Sequence, residues 1–329
     1  MLQHVRRNWF LYGLVGVLLA GFSLPGAGDT LNPGGVTQSA IVLVFFLMTG
    51  FTLPSELIQR GLNNVRLHVA VQLLIFGFIP LYFALFTPLF AGYLGGNLPV
   101  GFYALAVLPT TISSSTILTQ TSGGNTVGTM FNSALANTIG ILVSPLLLSI
   151  FLSAGTAGLP PNEIVGVLRD LALIMVLPVA VGQLLRRRAR ELADRVKKRV
   201  SSVSSALILT IVFLTISSTA SDPDFLRRVA ELPIPFLFLA VSHLVFVAMS
   251  VVVGRSLGLP RADRVSMLFC APQKTMAMGV PLLTVYFGSR PDVLGFALLP
   301  LLFYHPFQIF TGGVLRGLLA RRAASGSPS

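Results

Sequence analysis

Apolar residues run in long stretches separated by short polar links, and ten of these stretches are long enough to span a hydrocarbon core about 30 Å thick. They cover residues 9–25, 36–53, 67–91, 99–120, 127–153, 164–185, 201–220, 233–256, 265–288 and 293–318. The short links predict one all-α integral membrane domain over residues 1–320, with no soluble domain and a disordered tail at 321–329. The first stretch follows Arg6 and Arg7 and precedes Gly26-Ala-Gly28, which is also the layout of a signal peptide. We read it as a span because ten stretches divide into two halves of five, about 8–153 and 163–319. Halves with an odd number of spans insert with opposite topology, the inverted repeat behind many secondary transporters.

Composition agrees. The chain is 53% hydrophobic and 10% charged, with a mean hydropathy of +0.82, where a soluble domain carries about 25% charged residues. The net charge of +12 would suit nucleic acid, but its distribution argues for membrane topology. Eighteen of the 23 basic residues fall on one side of a ten-span arrangement, eight of them in a stretch expected to be a loop, Arg186 to Arg199. By the positive-inside rule both termini are expected in the cytoplasm. The basic stretches are expected to attract anionic lipid rather than nucleic acid. A single cysteine, Cys270, excludes a disulfide framework within one chain.

Two spans are interrupted alike. The fourth reads Leu108-Pro-Thr-Thr-Ile-Ser-Ser-Ser-Thr116 and the ninth Ala271-Pro-Gln-Lys-Thr-Met-Ala-Met-Gly279. Each sets a proline ahead of polar residues inside an apolar run. Paired interruptions at matching places in two halves are the best sequence pointer to a transport site. Lys274 sharpens it, since a charge at membrane depth costs about 2.5–3.5 kcal/mol on insertion scales and marks function by default. Three roles stay open for it: binding an anionic substrate, occupying a cation site, or tethering backbone carbonyls.

Candidate ligands cluster around these breaks. Ser113, Ser114, Ser115 and Thr116 follow the first break, and Gln273 and Thr275 flank Lys274. Asn132 and Ser133 lie five and four residues before Asn137, on roughly one face of the fifth span. Hydroxyls could equally serve as helix–helix contacts. No carboxylate lies near the middle of the fourth, fifth or ninth span, so the usual charged ligand of a coupling cation is absent there. Arg169-Asp170 in the sixth span reads as a local structural pair, and His68, His243 and His305 as helix-interface residues. There is no H-E-x-x-H motif, P-loop or pair of intramembrane aspartates, so an enzyme is not expected. No repeated filter or ring of like side chains points to a channel.

These features resemble the bile acid:sodium symporter family, over about residues 8–318. Pro109-Thr-Thr-Ile-Ser-Ser-Ser-Thr116 is similar to the family's Pro-Gly-Gly-x-x-Ser-Asn segment, and Ser144-Pro145 in the fifth span is similar as well. The resemblance implies a panel of spans one, two, six and seven packed on a core of the other six, with broken spans four and nine crossing. It implies alternating-access transport of a small organic anion, with sodium as the sole cofactor and Ser114, Ser115, Ser133, Asn137 and Gln273 as its ligands. Gln72 would help a second sodium site. The brevity of the chain and its basic cytoplasmic loops fit a multi-pass protein of a bacterial inner membrane; the oligomeric state stays open. The ninth span departs from the pattern: sodium-coupled members carry Glu-x-Gly-x-Gln-Asn-Ser-Gly, and Pro272–Gly279 has a lysine and no glutamate. In this the chain resembles the divergent branch typified by solute carrier family 10 member 7. Lys274 would then alter or replace a sodium site, with coupling to sodium, to protons or to neither. A non-transporting regulatory protein on the same fold is the remaining alternative.

Overall fold

A computed structural model describes residues 9–53, 64–154, 169, 172–288 and 290–324. All regular secondary structure among them is helical, and six helices are long and apolar enough to cross a membrane. In chain order the main helices are α1 (Trp9–Ser23), α2 (Val36–Thr52), α3 (Val65–Phe90), α4 (Leu98–Val107), α5 (Ser113–Thr121) and α6 (Thr126–Ala154). They continue with α7 (Leu177–Arg188), α8 (Arg190–Thr219), α9 (Pro233–Ser256), α10 (Arg261–Cys270), α11 (Met276–Phe287) and α12 (Pro291–Ala324).

The helices form two groups. One contains α1, α2, α7 and α8; the other contains α3 to α6 and α9 to α12. They meet where α8 packs on α11 and α12, and α2 on α11. In the first group α2 and α7 touch backbone to backbone. A Cβ built on Gly50 would lie 2.3 Å from the Val179 carbonyl oxygen, and one on Gly182 would lie 2.4 Å from that of Leu47. Small residues permit such approach in membranes, where lipid removes the hydrophobic drive for helix association. Gly182→Ala is therefore expected to destabilise the protein by about 1–3 kcal/mol through overpacking, read as a lower melting temperature in detergent. An unchanged melting temperature would show that the two helices can part at no cost.

Two expectations need correction. The basic stretch after the sixth span is not a loop: apart from a kink at Ala189, where α7 ends, it is helical. Its Arg, Lys, Glu, Leu and Ala residues are good helix formers, and Arg186 Nη2 donates to Asp194 Oδ1 at 2.8 Å across the kink. The tail expected from residue 321 is also still helical to Ala324. The Arg169-Asp170 pair includes Asp170, which lies outside the described residues, as does the start of the sixth span.

Candidate functional site

The fourth span is broken between α4 and α5, and the ninth between α10 and α11. Proline explains the positions. Pro109 has no N–H to continue α4 and forces Leu108 into extended backbone (ψ 144°). Pro272 also lacks an N–H, but Ala271 before it stays helical (φ −69°, ψ −42°), and the chain becomes extended only at Thr275 (φ −92°, ψ 123°). A helix that stops leaves its last carbonyls without partners, and a buried carbonyl must find a donor.

Every carbonyl from Ala106 to Thr111 has one. Lys274 Nζ donates to Ala106 O at 2.9 Å and to Leu108 O at 2.7 Å. Ser144 Oγ donates to Val107 O at 2.7 Å. The Thr275 amide donates to Pro109 O at 3.0 Å, so the two breaks touch directly. Asn137 Nδ2 donates to Thr110 O at 2.9 Å, and Ser115 Oγ to Thr111 O. Lys274 also reaches Ile75 O at 3.4 Å, a carbonyl in the π-helical turn Leu74–Phe78 of α3. The lysine side chain is 1% exposed. Its ammonium holds three neutral carbonyl oxygens, as a bound monovalent cation would.

From the far side α12 completes the second break. The Lys274 amide donates to Gln308 Oε1 at 2.7 Å, and Gln308 Nε2 donates back to Lys274 O at 2.8 Å. Tyr304 Oη donates to Pro272 O at 2.8 Å. Because Gln308 Oε1 accepts, its Nε2 must be the donor in the 3.0 Å contact with His305 Nδ1. The proton of a neutral His305 is thereby placed on Nε2.

The sequence candidates separate into distinct places. Ser114 and Thr111 meet at Gln273 Oε1, with Ser114 Oγ donating at 2.7 Å. Ser115 faces Ser133 at 3.2 Å, and Ser133 reaches Cys270 Sγ at 3.5 Å; this pair is fully buried. Asn132 turns away to His68 Nδ1, at 3.2 Å, and Gln72 Nε2 donates to Asn132 O at 3.2 Å. Thr116 Oγ1 and Gln72 Oε1 are buried without a hydrogen-bond partner among the described residues. Asn132, Ser133 and Asn137 therefore do not present one common surface. The oxygens around Gln273 suit a sodium ion in type, but they carry no formal charge.

A cavity of about 390 Å³ lies between the two helix groups. On one side it meets the first turns of α5 and α11, through Ser113, Ser114, Thr275, Met276 and Ala277, together with Asn137 and His305. On the other it meets Phe10, Phe45, Phe46, Thr49 and a stripe of α8 from Lys197 to Ile208. Among the described residues its wall has no Asp or Glu, and Lys274 is not part of it. His305 and Lys197 were not singled out as site residues by the sequence. The only available signals, a lone histidine near a glutamine and one lysine in a basic stretch, are shared with structural positions.

The profile of the SBF-like CPA transporter family matches residues 8–321. The chain belongs to that family. Family members similar to it include sodium/bile acid cotransporter 7 of Danio rerio, 33% identical over 96% of this chain and 94% of the relative. The protein of the same name from Rattus norvegicus is 31% identical over 96% and 93%. The putative symporter YfeH of Escherichia coli (strain K12) is 30% identical over 91% and 88%. The chain is thus a multi-pass membrane transporter rather than an enzyme, within the bile acid:sodium symporter group that its fourth and fifth spans resemble.

Proposed function

We propose that this chain is a secondary transporter for a small amphipathic organic anion, with the Lys274 ammonium standing in for a bound sodium ion. The carrying observation is the cavity between the two helix groups, which is largely apolar, lined by no carboxylate among the described residues and open to the first turns of α5 and α11. Helix N-termini favour anions through their free amides and dipoles, and a cavity of this volume suits a ligand of drug-like size. The bile acid in the relatives' names agrees with such a substrate. In this reading the chain forms two inverted five-helix halves, α1, α2, α7 and α8 are the panel, and the panel moves against the core to alternate access. The basic ends of the helices, both termini included, face the cytoplasm of a bacterial inner membrane.

Lys274 supports the stand-in because its charge is already placed among carbonyl oxygens. A sodium ion, named in the relatives, would be sought at the Thr111–Ser114–Gln273 oxygens. Uptake of labelled organic anions by proteoliposomes, with sodium and pH gradients imposed separately, tests the reading. Anion uptake that persists without sodium is expected. Strictly sodium-driven uptake would remove the stand-in role. If no anion in a broad panel were carried or shifted the melting temperature, the non-transporting alternative would replace transport.

A further inference from the structure

One face of α8 enters the cavity wall: Lys197, Ser201, Ser204, Ser205 and Ile208. Their spacing of four, three, one and three places them along a single helical stripe. Exposure falls along it: Lys197 and Ser201 are exposed, Ser204 and Ser205 are half-buried, and Ile208 is 3% exposed. The stripe therefore runs inward from the mouth over about 16 Å, at 1.5 Å per residue. Ser205 Oγ is engaged with Ser201 O at 3.0 Å. Lys197 and the hydroxyls of Ser201 and Ser204 make no hydrogen bond or ion pair among the described residues. The nearby carboxylate on the same helix, Asp194, is hydrogen-bonded to Arg186 and feels the Lys197 charge only at longer range. Neighbouring Arg195, Lys198 and Arg199 do not line the cavity, so Lys197 differs from the rest of the basic stretch by where it points.

We infer that Lys197, Ser201 and Ser204 form an oxyanion subsite at the cavity mouth, which takes the acidic head of an amphipathic ligand on entry, before that head passes to the first turns of α5 and α11. An ammonium beside two hydroxyl donors suits a sulfate, sulfonate or phosphate group. The inference rests on the proposed transport reading for the ligand's route, but the subsite can be tested without transport. A lipid headgroup carries the same chemistry, and the test separates the two sources.

The full chain carries one cysteine, Cys270, at 0% exposure, so an introduced thiol reports alone. In Ser204→Cys, the rate of modification by anionic sulfonatoethyl methanethiosulfonate is compared with that by uncharged methyl methanethiosulfonate. Adding Lys197→Gln is expected to lower the anionic-to-neutral rate ratio roughly threefold to tenfold, the loss of one nearby charge in a partly shielded cavity. Lys198→Gln, one residue on, is expected to leave the ratio unchanged. The drop should be the same in phosphatidylcholine nanodiscs with or without phosphatidylglycerol. A ratio indifferent to Lys197, or a thiol unreactive to both reagents, overturns the subsite. A drop that vanishes when phosphatidylglycerol is present assigns Lys197 to lipid and also overturns it. Charge selectivity in a protein that carries no anion would leave the subsite standing and remove only the transport reading.

Discussion

Lys274→Ala should lose about 3–5 kcal/mol of stability and recover part of it in sodium. The magnitude follows from the partners. Removing the ammonium leaves the Ala106, Leu108 and Ile75 carbonyls buried without a donor, and each orphaned polar group costs about 1–3 kcal/mol before relaxation or water entry. The truncation also opens space among neutral oxygens, and hard oxygen donors in such a space favour a small cation over none. Melting curves in sodium chloride against N-methylglucamine chloride at equal ionic strength give the measurement. A sodium-specific rise confined to the variant is expected. Unchanged stability would show that the carbonyls do not depend on the lysine, and equal recovery in both salts would end the comparison with a bound ion. Lys274→Gln separates size from charge: it nearly fills the space but offers a weaker donor, and should fall between the two.

Gln308→Leu should cost about 2–4 kcal/mol, because one amide side chain satisfies both the N–H and the C=O of Lys274 and an apolar replacement leaves both buried and unmet. Its signature extends to His305. With Gln308 present, the histidine accepts at Nδ1 and carries its neutral-state proton on Nε2. Without Gln308 that constraint disappears, and nitrogen-15 spectra of labelled histidine should show the Nδ1–H tautomer appearing. A variant that keeps both its melting temperature and its tautomer would show that α12 does not brace the second break.

The parts of this architecture legible in the sequence are those set by backbone chemistry. Pro109 and Pro272 announce the breaks because proline cannot continue an N–H ladder, and Lys274 announces burial of a charge because it stands alone in an apolar run. The sense of individual polar side chains is less legible. Asn132 and Asn137 lie five residues apart on one helix, yet one turns to His68 and the other to Thr110 O. The difference depends on which neighbours pack on each side of α6, a tertiary fact no periodicity contains. Likewise Arg186 to Arg199 looks like a solvated loop from charge density alone, although its residues favour helix and continue α8 into the cavity wall. The hydroxyls after Pro109 read as ion ligands because they are polar at depth. Ser115 Oγ also donates to the carbonyl of Thr111, four residues back at the entry to α5.

The contact between Lys274 and Leu108 joins residues 166 positions apart. At synthesis rates of about 5–20 residues per second, the first break waits roughly 8–33 s for its ammonium to be made. During that interval the carbonyls of Ala106 and Leu108 have only water, lipid headgroups or an insertion chaperone to turn to. Quality-control proteolysis of the nascent chain is therefore expected to act mainly in this interval, after Leu108 is made and before Lys274 is.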